Sequence, residues 1–108
     1  MFGDLGRMMK LAGKIKTELP KLRERLAASE FTFEAGGGAV SATVNGRLEI
    51  VGVRIAPEAA AEADAEMLAD LVKAAVAGAQ ARAAGAAAEA LRELTGGMPL
   101  PGMEDMMP

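Results

Sequence analysis

FTFEAGGGAVSATVNGRLEIVGVRIAP, residues 31–57, is the stretch whose reading decides the fold. Its apolar residues recur at every second position, the period of a half-buried strand and not the 3.6 of a helix. Phe31 and Phe33 alternate with Thr32 and Glu34, so both rings point to one face and are expected in the core. Gly36, Gly37 and Gly38 can take the positive φ of a tight turn, and Val40, Ala42 and Val44 then resume the alternation. Asn45-Gly46 is a strong short hairpin signal and predicts a type I′ turn into Arg47. In the third run Leu48 and Ile50 share one phase while Val51, Val53 and Ile55 share the other, which predicts a bulge beside Gly52. The expectation is an antiparallel three-stranded meander, ended by Pro57, with one face for helices.

Before this stretch the period is helical. Leu5, Met8, Ala12, Ile15, Leu19, Leu22 and Leu26 step by three and four, a heptad stripe suited to packing on another long helix. Pro20 interrupts it, lacking the N–H that would bond the Lys16 carbonyl. Two readings are open there: a kink in one helix, or two short helices with Thr17 capping the second and Pro20 in its first turn. The stripe keeps its phase across the proline, which favours the kink.

After the strands, Asp64 is placed to cap a second long helix with Glu66 and Asp70 near its positive end. Leu68, Leu71, Val72, Ala75, Ala79, Ala86, Ala90, Leu91 and Leu94 form its apolar face. Gly78 and Gly85, seven residues apart, would admit a close neighbouring backbone, and Gly96-Gly97 stops the helix. Residues 1–95 thus read as one α+β domain of order α-β-β-β-α, and 96–108 as a flexible tail rich in glycine, proline and methionine.

With 108 residues and no cysteine, a lone protomer has a thin core without disulfide support, so a homodimer is expected. The lack of cysteine and histidine removes thiolate metal sites, the commonest metal ligand and the commonest proton shuttle. No nucleophile and base can be paired from the residues present, so the expectation is a protein that is not an enzyme, with no cofactor, metal or small-molecule substrate. The opening MFGDLGRMMKLAGK carries no apolar core of roughly 7 to 15 residues like that of a signal peptide. Nor does any apolar run approach the roughly 20 residues that span a bilayer, so a cytoplasmic location without a membrane partner is expected.

The net charge of −3 conceals a segregation. Between Arg7 and Arg25 there are seven basic residues against Glu18 and Glu24, a balance of +5, whereas beyond Ala61 eight acids face Lys73, Arg82 and Arg92. At about 100° per residue, Arg7, Lys10, Lys14, Lys21 and Arg25 fall within an arc of about 60°, away from the apolar stripe. At about 1.5 Å per residue that ridge is roughly 27 Å long, enough to follow phosphates along most of a turn of duplex. On charge alone an ordinary solvated helix face explains it better. Lys16 and Arg23 flank the stripe from the other side, where acids of the second helix could pair with them. Base-stacking modules need exposed aromatic residues, and Phe2, Phe31 and Phe33 are the whole supply, so duplex backbone contact is the mode left open.

The glycine triplet is no phosphate loop, since no Lys-Ser or Lys-Thr follows and it joins strand to strand. Helix capping accounts for Glu62, Asp64, Glu66 and Asp70 better than a cation site, for no calcium-loop spacing is present.

In order and spacing the chain resembles the YbaB/EbfC family of bacterial nucleoid-associated DNA-binding proteins along nearly its whole length. MFGDLGRMMKLAGKIK resembles the family's first helix; the glycine-rich turn, Val40 to Gly46 (VSATVNG) and Val53 to Pro57 (VRIAP) resemble its sheet; EMLADLVKAAVAGA resembles the start of its second long helix and GGMPLPG its tail. The resemblance implies a homodimer whose sheets join and whose helices project as tweezer-like arms. It implies double-stranded DNA as partner, bound with little sequence preference in the bacterial nucleoid. It also raises the ridge from a solvated face to the expected DNA contact, Arg7, Lys10, Lys14, Lys21 and Arg25, with Arg82 and Arg92 as secondary contacts. The rival reading, motivated by the net acidity and the alanine-rich helix, is a structural or adaptor dimer whose arms grip another protein.

Overall fold

A computed structural model describes residues 2–97. The elements run α1 (Phe2–Ala28), β1 (Glu30–Ala35), β2 (Val40–Asn45), β3 (Ile50–Ile55), α2 (Pro57–Glu62) and α3 (Ala65–Leu94). The expected α-β-β-β-α order is present, with the sheet an antiparallel meander β1-β2-β3. The tail expected to be flexible lies, from residue 98 on, outside the described residues.

α1 passes through Pro20 as one helix, which excludes the reading of two short helices. The Thr17 hydroxyl donates to the Gly13 carbonyl at 3.0 Å, one turn back along the same helix. It is therefore a mid-helix side chain and caps nothing.

The turn at Gly36–Gly38 forms as expected, with φ of 65°, 67° and 95°. The second hairpin corrects the type I′ expectation. Such a turn needs positive φ at both Gly46 and Arg47, and of this loop only Leu48 has it, at 67°. The Leu48 N–H donates to the Asn45 carbonyl at 3.0 Å and the Asn45 N–H to the Glu49 carbonyl at 3.0 Å, a three-residue connection closed by a left-handed residue. Asn45 Oδ1 organises it, accepting from the N–H groups of Arg47 (2.8 Å) and Glu49 (3.1 Å). Gly46 is needed for a different reason than φ: a Cβ there would lie 2.0 Å from the Leu26 carbonyl oxygen, where the end of α1 crosses the hairpin. Strand β3 accordingly begins at Ile50 and not at Leu48. Thr43 pairs with Gly52 and Val44 with Ile50, so Val51 is the extra residue of a bulge beside Gly52, where the phase slip placed it.

α2 is an element that the alternation did not announce; Pro57 opens it as a first-turn residue, where its fixed φ suits a helix and its missing N–H costs nothing. Asp64 caps α3 as expected, Oδ1 accepting from the Met67 N–H at 2.7 Å. At the other end the Gly97 N–H reaches the Arg92 carbonyl (2.9 Å) and the Gly96 N–H the Glu93 carbonyl (3.2 Å). With φ of 65° and 85° at the two glycines, this is a Schellman stop.

α3 lies across β1 and β2. Val40, Ala42 and Val44 of β2 meet Ala75, Ala79 and Ala83, with Phe31, Phe33, Leu71, Val72 and Val76 around them. Both phenylalanines are therefore core residues, and Ala83 and Val76 join a face that was expected to omit them. Gly78 admits the Phe33 ring, whose Cδ1 stands 2.2 Å from the place of a Cβ; what approaches is an aromatic side chain and not a backbone. Gly85 faces open space, with no atom within 4 Å of its Cβ position, so the expected close approach fails there. Among the described residues no fully buried side chain is larger than valine, and the fold extends 67 × 26 × 16 Å: the core is as thin as the length suggested. Among the described residues no helix is long and apolar enough to cross a membrane.

Candidate nucleic-acid interface

Because α1 is unbroken, the angular spacing of its cations survives folding. Arg7, Lys10, Lys14, Lys21 and Arg25 are all exposed. The stripe turned towards α3 is anchored by Leu22, 7 % exposed, so the ridge forms its flank. Lys14, Lys21 and Arg25, together with Glu18 and Leu22, line one side of an open groove of about 540 Å³; Ala90, Glu93 and Leu94 of α3 line the other. The cations are neither scattered around the helix nor buried.

The groove is not purely cationic. Lys21 Nζ stands 3.7 Å from Glu18 Oε1, and Glu93 faces across. Such an exposed pair at i, i+3 contributes a few tenths of a kcal/mol, about 0.5 or less, so a phosphate can displace it at little cost. Lys16 and Arg23 are exposed, and the ion pairs found among the described residues are Lys21–Glu18 and Arg92–Glu89; the expected pairing of Lys16 and Arg23 with acids of α3 does not form.

The two arginines of α3 are placed differently from the ridge. Arg82 Nη1 donates to the Thr32 carbonyl at 2.7 Å and its guanidinium sits 5.0 Å above the Phe33 ring, which ties α3 to the edge of β1. Arg92 Nη1 contacts Glu89 Oε2 at 2.7 Å. Both remain exposed, yet each already has a partner.

One surface escaped the reading of the sequence. All six residues of β3 are exposed. Ile50, Val53 and Ile55 stand opposite the buried Val44, Ala42 and Val40, hence on the helix side of the sheet, yet α3 stops short of them and leaves them 56 %, 40 % and 43 % exposed. The signal was present in the apolar run 50–55, but nothing in it distinguishes a strand covered by its own helix from one left bare. Among the described residues no group of three or more acidic side chains is gathered as a metal site, and Asp64 is engaged as a cap.

A family model described as the YbaB/EbfC DNA-binding family matches residues 1–98. Among similar curated proteins, a nucleoid-associated protein of Clostridium perfringens is 42 % identical over 101 residues, covering 94 % of this chain and 90 % of that protein. One of Pelotomaculum thermopropionicum is 39 % identical over 103 residues, 95 % and 98 % of the two chains. One of Clostridium acetobutylicum is 37 % identical over 101 residues, 94 % and 90 %. The crystal structure of an uncharacterized protein from Helicobacter pylori superimposes with a TM-score of 0.59 at 26 % identity, covering 82 % of this chain and 99 % of that one.

Proposed function

The chain belongs to the YbaB/EbfC DNA-binding family, and from that premise we propose that it binds duplex DNA with little sequence preference through the cationic edge of α1, contributing to organisation of the nucleoid. The observation that carries this reading is the alignment of Arg7, Lys10, Lys14, Lys21 and Arg25 on one exposed edge of an unbroken helix. A row of flexible cations meets phosphates and reaches few base edges, so it reads charge and shape. Arg82 and Arg92 are subordinate contacts, since each must share its donors with the partner it already holds. That similar proteins are known as nucleoid-associated proteins supports the location.

The working unit in this reading is a homodimer. Its support is β3: an edge strand with free backbone groups and three uncovered apolar residues on the side where the core lies. Joining two such edges continues the sheet and hides the exposed face. The ridges stand on α1, away from β3, so dimerisation leaves both open and doubles the cationic length.

If each protomer neutralises about three phosphates, log affinity for duplex against log salt slopes near −5, from about −0.9 per contact. Folded Lys10→Glu, Lys14→Glu, Lys21→Glu protein is expected to lose retention of duplex in a gel shift. An affinity indifferent to salt, or full retention by that triple variant, overturns the reading in favour of a protein-binding adaptor, which the net charge of −3 and the alanine-rich α3 would suit.

A further inference from the structure

The sheet has two edges, and only one of them is open. Along an antiparallel strand, successive residues turn their backbone groups to opposite neighbours. The Asn45 N–H donates to the Glu49 carbonyl, and the Ala39 carbonyl accepts from the Ala56 N–H at 2.8 Å. Ser41 and Thr43, in phase with them, therefore turn to β3, while Val40, Ala42 and Val44 turn to Ala35, Phe33 and Phe31 of β1. Glu30, Thr32 and Glu34 are left directing their N–H and C=O groups outwards along the free side of β1. By the same alternation Val53 and Ile55 do so along the free side of β3. Among the described residues no fourth strand stands beyond either.

At the middle of the β1 edge the place is taken. Arg82 Nη1 donates to the Thr32 carbonyl at 2.7 Å, and the Phe33 ring, 5.0 Å beneath the guanidinium, holds the charge there. On its other flank α3 offers only Gln80, whose Nε2 reaches the Leu48 carbonyl at 3.2 Å. Leu48 precedes β3, so Val53 and Ile55 keep their outward groups open. Glu30 and Glu34, both exposed, stand two residues either side of Thr32. A second β1 laid antiparallel on this edge and centred on Thr32 would set Glu30 against the other copy's Glu34, a repulsive cross-strand pair. A carbonyl already bonded to a fixed cation, between two carboxylates, is a poor template for another strand.

We propose that Arg82 blocks the β1 edge, so that sheet pairing between copies of this chain is confined to β3 and closes at two protomers. A protomer with both edges open would pair through each in turn and build an unlimited row. The closure at two rests on the β3 homodimer proposed above, whereas the blocking by Arg82 does not.

The test is the mass of the full chain by light scattering, with circular dichroism to verify that each variant is folded. High salt screens Glu30 and Glu34 and suppresses pairing of the basic ridge with acids of another copy. In a Val53→Lys, Ile55→Lys background, which closes β3, adding Arg82→Ala is expected to double the mass. Arg82→Met, which keeps a long apolar stem over Phe33 and loses only the donors, serves if Arg82→Ala does not fold. Thr32 gives β2 no backbone bond, so a further Thr32→Pro spares the ladder while denying the edge its N–H; it is expected to restore the original mass. With β3 intact, Arg82→Ala is expected to give a mass that rises with protein concentration beyond two chains. An unchanged mass in folded Arg82→Ala and Arg82→Met overturns the proposal. So does a doubling that Thr32→Pro leaves in place, since association then runs through the bared Phe33 and not through the strand edge. Each comparison is with the same protein carrying Arg82, so a failure of the β3 reading changes the starting mass and not the doubling: a wild type of one chain that becomes two with Arg82→Ala, and grows no further, sustains the blocking while the β3 dimer fails.

Discussion

Gly78 and Gly85 stand one heptad apart on the same helix, and only one of them has a neighbour. At Gly78 the Phe33 ring occupies the space a methyl group would need, so Gly78→Ala must move an aromatic ring that is part of the core. That overpacking is expected to cost about 1–3 kcal/mol. At Gly85, with open space around it, the same change only improves helix propensity and is expected to gain about 1 kcal/mol. Urea unfolding of the two variants checks the opposite signs; equal shifts would mean that Phe33 does not lean on α3. Leu48 shows a second residue-scale tension. A leucine in the left-handed region costs about 1–2 kcal/mol. The loop holds it there with four hydrogen bonds centred on Asn45 and a fifth from Gln80 Nε2 to its carbonyl at 3.2 Å.

At the scale of elements, α1 is the part whose stability and function pull apart. Pro20 removes one backbone hydrogen bond from a helix that makes few contacts with the rest of the molecule in its first half. Pro20→Ala is expected to stabilise the protein by up to about 3 kcal/mol, read as a higher denaturant midpoint. It leaves the cations in place, so the slope of log affinity on log salt should stay near its wild-type value. A changed slope would mean that the proline itself aims the second half of the ridge, Lys21 and Arg25, relative to the first. α3 differs in having both ends closed by its own residues, Asp64 in front and Gly96-Gly97 behind. It can therefore hold its position over β1 and β2 while α1 projects.

For the whole molecule the open question is what covers β3. Val53→Lys with Ile55→Lys puts two charges on the bare helix-side face without touching the buried Val40, Ala42 and Val44. The protomer is expected to remain folded while its mass by light scattering falls to that of one chain. Its salt slope for duplex binding should fall to roughly half, since half the phosphates are then neutralised per particle. An unchanged mass would move the interface elsewhere, the arms being the next candidate. Under the proposed ridge contact, a Debye length near 8 Å at physiological ionic strength screens a phosphate there from the acids on α2 and the start of α3, which leaves Glu93 across the groove as the acid of α3 that it meets.

The α-β-β-β-α order apart from the short α2, the glycine turn, the Asp64 cap, the glycine stop and the bulge beside Gly52 were all legible in the chain, because each is set by residues within a few positions of one another. So was the angular alignment of the five ridge cations, which needs only a continuous helix. What required the folded molecule was every feature in which distant segments meet. The Leu26 carbonyl is what makes Gly46 obligatory, and it lies outside the hairpin that Asn45-Gly46 appeared to define alone. Phe33 gives Gly78 its purpose, and Thr32 engages Arg82. The bare face of β3 follows from the path of α3 over the sheet, and the path of a helix is decided by packing between surfaces that no local pattern contains.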